Sequence, residues 1–160
     1  MKDFSNMYKR IISWNNRAGV KEHAFGTLNW DSATLLQCKL LVEEASETLE
    51  GIEYGNMVEL LDGTVDSFVI LAKLIDILEK AGFDFIGACE AVMDNNDLKI
   101  YDSYYTAVEA KEKLEERDDQ EYSIETAICN GMPFYSVRRF DGKIMKKVGF
   151  VPVSLDEFVP

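Results

Sequence analysis

Acidic residues lie inside the most apolar stretch of the chain, and this pattern constrains the fold more than any other. Residues 57–80 place apolar side chains on nearly every face of a predicted helix, which is typical of a buried helix. Glu59, Asp62 and Asp66 nevertheless fall within about 60° of one another on its helical wheel. A buried, unpaired carboxylate is costly, so these acids must be neutralised, paired or bound to a metal ion. Lys73 lies on the same side and is able to pair with only one of them.

The preceding helix, predicted over about 32–54, carries a second acidic stripe. Glu43, Glu44, Glu47 and Glu50 fall within about 120° of one another. No Lys or Arg is interleaved to pair with them, so the four charges repel one another. Taken alone, the pattern is that of an amphipathic helix with a solvated acidic face.

A break at Gly55-Asn56 separates the two acidic stripes. It allows the helices to form an antiparallel hairpin, in which acids near the end of the first face acids near the start of the second. Carboxylate oxygens are ligands that Mg²⁺ and Mn²⁺ prefer. The sequence therefore predicts a site for Mg²⁺, with Mn²⁺ as the alternative ion, between the two helices.

The rest of the chain predicts a mainly α fold, with a helical body over 1–120 and a small β extension of the same domain over 121–160. Asp31 or Ser32 is the predicted N-cap of the 32–54 helix. The other predicted helices span about 4–17, 84–100 and 104–117. Asn130-Gly131 and Asp141-Gly142 are strong hairpin signals. They predict an antiparallel meander of three strands over 122–129, 132–140 and 143–148.

The composition excludes several classes of function. A formal net charge of −12 disfavours nucleic acid as a partner, because phosphate contacts need clustered Lys and Arg. The chain contains no run of 18 apolar residues, so no membrane span is predicted. The first ten residues lack the apolar core of a signal peptide. His23 is the only histidine, so a histidine-based zinc site or a Ser-His-Asp triad is excluded. Three widely spaced cysteines fit no disulfide framework, and a cytoplasmic location is expected.

The order and spacing of the acids resemble those of a known family. EEASE at 43–47 is followed after eleven residues by ELLD at 59–62. This resembles the ExxE…ExxD signature of the MazG-like, all-α nucleoside triphosphate pyrophosphohydrolases. VMDNNDLKI at 92–100 is similar to the family's SNMSK segment, with Asn96 and Lys99 on its Asn and Lys. The tail at 141–152, DGKIMKKVGFVP, is similar to the ending of phage-encoded members.

The resemblance implies an antiparallel all-α bundle and a reaction. The family cleaves a nucleotide between its α and β phosphates, giving a monophosphate and pyrophosphate, with Mg²⁺ held by the acids. The implied metal ligands are Glu44, Glu47, Glu59 and Asp62, with Asp66 open as an alternative to Asp62. A phage-encoded member would act in the host cytoplasm.

The implied catalytic residues are Glu44, Glu43 as a further ligand or general base, and Lys99. Lys99 is expected to meet a phosphate of the nucleotide substrate, and Asn96 a phosphate or the sugar. Lys143 and Lys146 are expected to close over the substrate, with a charged hairpin edge as the alternative.

Trp14 and Asn15 lie at the end of the first predicted helix. The Trp14 ring is a candidate for stacking on a nucleobase, and the Asn15 amide for hydrogen bonds to the edge of that base. Packing in a core or an interface is the alternative interpretation of this Trp.

Two alternatives to a general nucleotide pyrophosphohydrolase stay open. One is an enzyme of the same fold acting on dUTP, dCTP or phosphoribosyl-ATP. The other is a non-enzymatic helical module whose acids bind a cation or a basic partner. In each case a single copy offers a thin core, so a homodimer or homotetramer that buries the third or fourth helix is expected.

Overall fold

The structure, a computed structural model, describes residues 3–160, so the first two residues of the predicted helical body lie outside it. Within that range the helices are α1 (Phe4–Arg17), α2 (Leu28–Glu53), α3 (Met57–Lys80), α4 (Phe85–Asp97) and α5 (Tyr104–Asp118). The strands are β1 (Ile100–Tyr101), β2 (Ser123–Cys129) and β3 (Met132–Arg138), and a 3₁₀ turn spans Asp156–Phe158. The predicted class, mainly α with a small antiparallel sheet, is confirmed.

α1 and α3 agree with their predicted bounds, but α2 begins earlier than predicted. Its N-cap is Thr27, whose hydroxyl accepts a hydrogen bond from the Trp30 N–H at 3.3 Å. The predicted caps are wrong because both lie inside the helix: Asp31 is in the first turn, and the Ser32 hydroxyl donates to the Leu28 carbonyl at 2.8 Å. None of the helices within residues 3–160 has the length and apolarity needed to cross a membrane.

The first predicted hairpin is confirmed. β2 and β3 pair antiparallel across Asn130 and Gly131, which have φ angles of 52° and 78°. A type I′ turn requires positive φ at both central residues, and Asn-Gly is the dipeptide that adopts them most readily.

The prediction of a third strand over 143–148 is wrong. Only Ile144 forms a bridge, to Arg138. The third strand is β1, whose first residue is the last of the helix predicted over 84–100. The sheet order is β1-β3-β2. β1 pairs with Tyr135 and Ser136 on the free side of β3. On that edge of β3, only the last residue, Arg138, is therefore left to pair with the segment at 143–148.

The chain forms two compact units, while the predicted division at residue 120 stays a prediction. One contains the residues up to Phe85 together with Phe158–Pro160, and the other is Ile86–Glu157. α5 belongs to the same unit as the sheet. Its apolar face packs in the core of the second unit, which comprises Ala110, Leu114, Tyr122 and Val137.

α2 and α3 approach each other closely at two glycines. A Cβ atom on Gly51 would lie 2.4 Å from the Leu60 backbone nitrogen. A Cβ atom on Gly63 would lie 2.7 Å from the Thr48 hydroxyl and 3.0 Å from the Glu44 carbonyl oxygen. No side chain fits at these points, so the two backbones meet directly and antiparallel. This contact sets how far apart the two acidic stripes lie.

We expect Gly63→Ala to lower the free energy of unfolding by about 1–3 kcal/mol, because the added methyl group must push the helices apart. In an unconstrained helix the same change is stabilising by up to about 1 kcal/mol, so the sign is diagnostic. Urea denaturation of the wild type and the variant measures this change in the free energy of unfolding. The neighbouring Thr64→Ala, at an exposed position, should change the same quantity by less than about 0.5 kcal/mol. A stabilised Gly63→Ala protein would contradict the close approach.

Candidate active site

Glu44 lies in the middle of α2, and the neighbouring acids raise the pKa of its carboxyl group. Partial burial raises its pKa above the ordinary value, and the charges of Glu47, Asp66, Glu43 and Asp62 raise it further, in that order. Two of the four acids belong to α3. The hairpin therefore brings the two acidic stripes together, as the sequence predicts.

Asp66 acts on Glu44 more strongly than Asp62 does. The contact at Gly63 explains the order. Gly63 touches the Glu44 backbone, and Asp66 follows it by three residues, so Asp66 projects from nearly the same face toward α2. Between the two aspartates that the sequence left open, Asp66 has the stronger effect on the pKa of Glu44.

Glu59 occupies a different part of the hairpin. It lies in the exposed first turn of α3, where its backbone N–H donates to the Asn56 side chain at 3.2 Å. Its backbone lies against Gly51, which is two helical turns, about 10 Å, beyond Glu44 along α2. The structure thus separates Glu59 from the Glu44 end of the predicted ligand set.

Lys73 does not pair with any of these acids, although its position in the sequence made a pair with one of them possible. Its ammonium group is buried and donates to Asp76 at 2.9 Å. Lys80 contacts the same carboxylate at 3.1 Å. Within residues 3–160, no Lys or Arg forms an ion pair with the predicted ligands Glu44, Glu47, Glu59, Asp62 and Asp66.

The side chains of these acids are not gathered around one point. Among the described residues, no three acidic, histidine or cysteine side chains form a ready metal site. Two observations still fit a divalent cation. The donors are all carboxylates, which Mg²⁺ prefers, and no ion pair within residues 3–160 compensates the negative charge around Glu44.

A cleft of about 370 Å³ lies between α1 and α3, beside Asp66. Trp14 lines it and is 55 % exposed. Arg10 and Arg17 line it as well, and sequence reasoning missed both. The available signal was their spacing, since residues 10, 14 and 17 share one face of a helix.

Asn15 is not placed in this cleft. Its side chain is buried, and its amide donates to the Ile11 carbonyl oxygen of the same helix at 3.1 Å. The predicted role in recognising a nucleobase edge therefore has no geometric support, because the amide is buried and bonds within α1.

Three of the predicted phosphate-binding residues lie together in the second unit. The Lys99 ammonium donates to the Asn96 side chain. Lys99 and Lys146 also lie over the ring of Phe150, at 6.0 Å and 4.7 Å from its centre. Lys143 is exposed in the turn after Asp141, to which its backbone N–H donates at 3.2 Å. That these lysines meet the substrate stays a prediction.

Comparison of the chain with protein-family models, with curated proteins and with solved structures finds no match. The resemblance to the MazG-like family therefore stays an inference from the motifs.

We expect Asp66→Asn to lower the pKa of Glu44 toward its ordinary value, because it removes a nearby negative charge. Asp62→Asn should lower that pKa less. Carboxyl-carbon NMR titration of the metal-free protein measures both shifts, with Asp97→Asn in α4 as the matched control. A larger effect from Asp62→Asn would show that the α2–α3 register is wrong.

Proposed function

We propose that the protein is a Mg²⁺-dependent nucleotide pyrophosphohydrolase, which cleaves the α–β phosphate bond of a nucleoside triphosphate to give a monophosphate and pyrophosphate. The observation that carries the proposal is the environment of Glu44. Four carboxylates from two helices raise its pKa, and none of the predicted ligands has an ion-pair partner among residues 3–160. A hairpin packed this closely gains from a bound cation that offsets the repulsion.

Glu44, Glu47 and Asp66 are the residues that would hold the cation, with Asp62 beside them and Glu59 toward the hairpin turn. Glutamate and aspartate side chains rotate readily, so they are able to close on an ion by changes of rotamer alone. When bound, Mg²⁺ offsets phosphate charge and lowers the pKa of coordinated water.

The chain's own residues supply binding and proton transfer. Glu43 is exposed on α2 next to the cluster, so its carboxylate is available as a general base toward water. The exposed ring of Trp14 offers a stacking surface for a base, and Arg10 and Arg17 line the same cleft beside Asp66. Guanidinium groups are well suited to phosphate oxygens. Aromatic, cationic and acidic groups side by side are the three contacts that a metal–nucleotide complex needs.

The same motifs support a finer fold class and a setting. The α2–α3 hairpin, joined at glycines and lined by acids, is consistent with the MazG-like bundle, and the tail at 141–152 with a phage-encoded member. A cytoplasm, where nucleoside triphosphates are abundant, is the compartment that this activity requires.

A homo-oligomer is part of the proposal. In the residues described up to Phe85, the buried apolar side chains are only Ile11 and Ala72. By contrast, large apolar side chains of α2 and α3 are exposed: Val42, Leu49, Ile52, Val58, Leu61 and Val65. Apolar surface of this extent marks an interface. A second copy of the chain would complete the core.

Glu47→Gln tests the catalytic proposal. We expect the wild type to release pyrophosphate from at least one member of a panel of nucleoside triphosphates with Mg²⁺, and the variant to lose at least about 10²-fold in kcat. Without metal, the melting temperature of the variant should be equal or higher, because one repulsive charge is gone. Glu50→Gln, on the same stripe and exposed, is the matched control and should retain most of the activity.

Two outcomes would overturn this proposal. One is release of orthophosphate alone from every nucleotide tested. The other is full activity in Glu47→Gln. Stabilisation of the wild type by Mg²⁺ with no hydrolysis of any nucleotide would favour the non-enzymatic cation-binding module instead.

The oligomer is tested by static light scattering at micromolar concentration. We expect a mass at least twice the 18.2 kDa of one chain. Leu61→Lys should lower the measured mass, because Leu61 is 65 % exposed in a single copy and would be buried in the interface. Phe140→Lys changes a residue that is 93 % exposed in the second unit and should leave the mass unchanged. A wild-type mass of one chain would refute the oligomer.

A further inference from the structure

A second cavity lies in the first unit, apart from the acidic cluster. It has a volume of about 150 Å³ and is enclosed by the segment at 20–23, the first half of α2 and the last half of α3. Gln37 and Lys73, which both line it, are each two helical turns from the acids, before Glu44 on α2 and after Asp66 on α3. The cavity is therefore about 10 Å from the acidic cluster along the same hairpin.

Lys73 brings a buried charge to this cavity. Its side chain is 4 % exposed, and its ammonium group donates to Asp76 at 2.9 Å. An ammonium group carries three N–H donors, and burial makes each unused donor costly. A ligand with acceptor oxygens in the cavity would accept hydrogen bonds from the Lys73 N–H groups that Asp76 leaves unused.

Trp30 contributes an aromatic wall to this cavity. Its indole N–H is closed to solvent and has no hydrogen-bond partner among residues 3–160. The ring is held in place by Phe83, stacked at 6.5 Å, and by the edge of Phe25 at 4.9 Å. The fixed Trp30 ring therefore forms a wall of the cavity and reports on what fills it.

The charge of the cavity has the opposite sign to that of the chain. Although the net charge is −12, the cavity is lined by three lysines, Lys21, Lys73 and Lys80, and by one acid, Glu22. Lys80 pairs with Glu22 and with Asp76, which lies against Lys73. Counting both acids, the lysines remain in excess. An anion is therefore favoured over a neutral or cationic ligand.

We propose that this cavity binds a small organic carboxylate. The carboxylate accepts a hydrogen bond from the Lys73 ammonium, and the hydrocarbon body packs on the Trp30 ring and on apolar wall residues such as Ala33, Leu36 and Ile77. The apolar wall favours an organic acid over inorganic phosphate. The volume restricts the ligand to a few carbon atoms, which excludes a nucleotide. Binding here requires neither the cation nor the activity proposed for the acidic cluster.

Fluorescence of Trp30 tests the proposal directly. The chain has two tryptophans, so Trp14→Phe leaves Trp30 as the only indole. We expect sodium butyrate, added at constant ionic strength, to change the emission saturably. Butyramide, which matches its shape but lacks the charge, and inorganic phosphate should have no saturable effect.

Two variants place the response in the cavity, both in the Trp14→Phe background. Ala33→Leu fills the space without altering any charge and should weaken butyrate binding at least tenfold. Lys73→Met removes the buried ammonium and should do the same, whereas Lys39→Met, at an exposed position of α2, should not. If Lys73→Met fails to fold, Ala33→Leu alone decides.

The proposal is overturned by any of three results: no saturable response to butyrate, an equal response to butyramide or phosphate, or unchanged affinity in Ala33→Leu. Loss of nucleotide hydrolysis leaves these measurements unaffected, so failure of one proposal is distinguishable from failure of the other.

Discussion

The backbones of α2 and α3 meet directly at Gly51 and Gly63, where a single methyl group would lie within 3.0 Å of the opposite helix. Close approach gains dispersion contacts between the helices, but it also brings Glu44 within the field of Asp62 and Asp66. The hairpin therefore combines favourable packing with unfavourable electrostatics at one place. A helix pair held farther apart by larger side chains would weaken the repulsion and would lose these contacts.

The acids at the two ends of α3 differ in burial and in ion pairing. Near its end, Asp76 is buried and neutralised by two lysines, Lys73 and Lys80. Near its start, Asp62 and Asp66 are exposed and have no such partner within residues 3–160. Buried charges need compensation within the protein, whereas exposed ones are stabilised by water or by a bound ion. This division supports a proposed cation site at one end of the hairpin and a proposed anion site at the other.

Helix positions and the acidic hairpin were predictable because they depend on local signals. The apolar periodicity of α1 and α3, the Asn-Gly turn between β2 and β3, and the i, i+3 spacing of the acids all act over a few residues. The errors have a different origin. The partner of Lys73, the burial of Asn15 and the choice of β1 as the third strand depend on which distant segments compete for the same contact. Arg10 and Arg17 became candidates only when α1 was seen to lie beside Asp66.

The sequence by itself determined that the chain is mainly helical, that two acidic stripes lie on consecutive helices, and that a turn between them allows the stripes to face each other. Period and turn chemistry are local properties of the chain. Only the tertiary structure decided that Asp66 raises the pKa of Glu44 more than Asp62 does, that Glu59 lies toward the hairpin turn, and that Lys73 neutralises Asp76. These outcomes depend on the register between two helices, which is set by where glycine permits their backbones to meet.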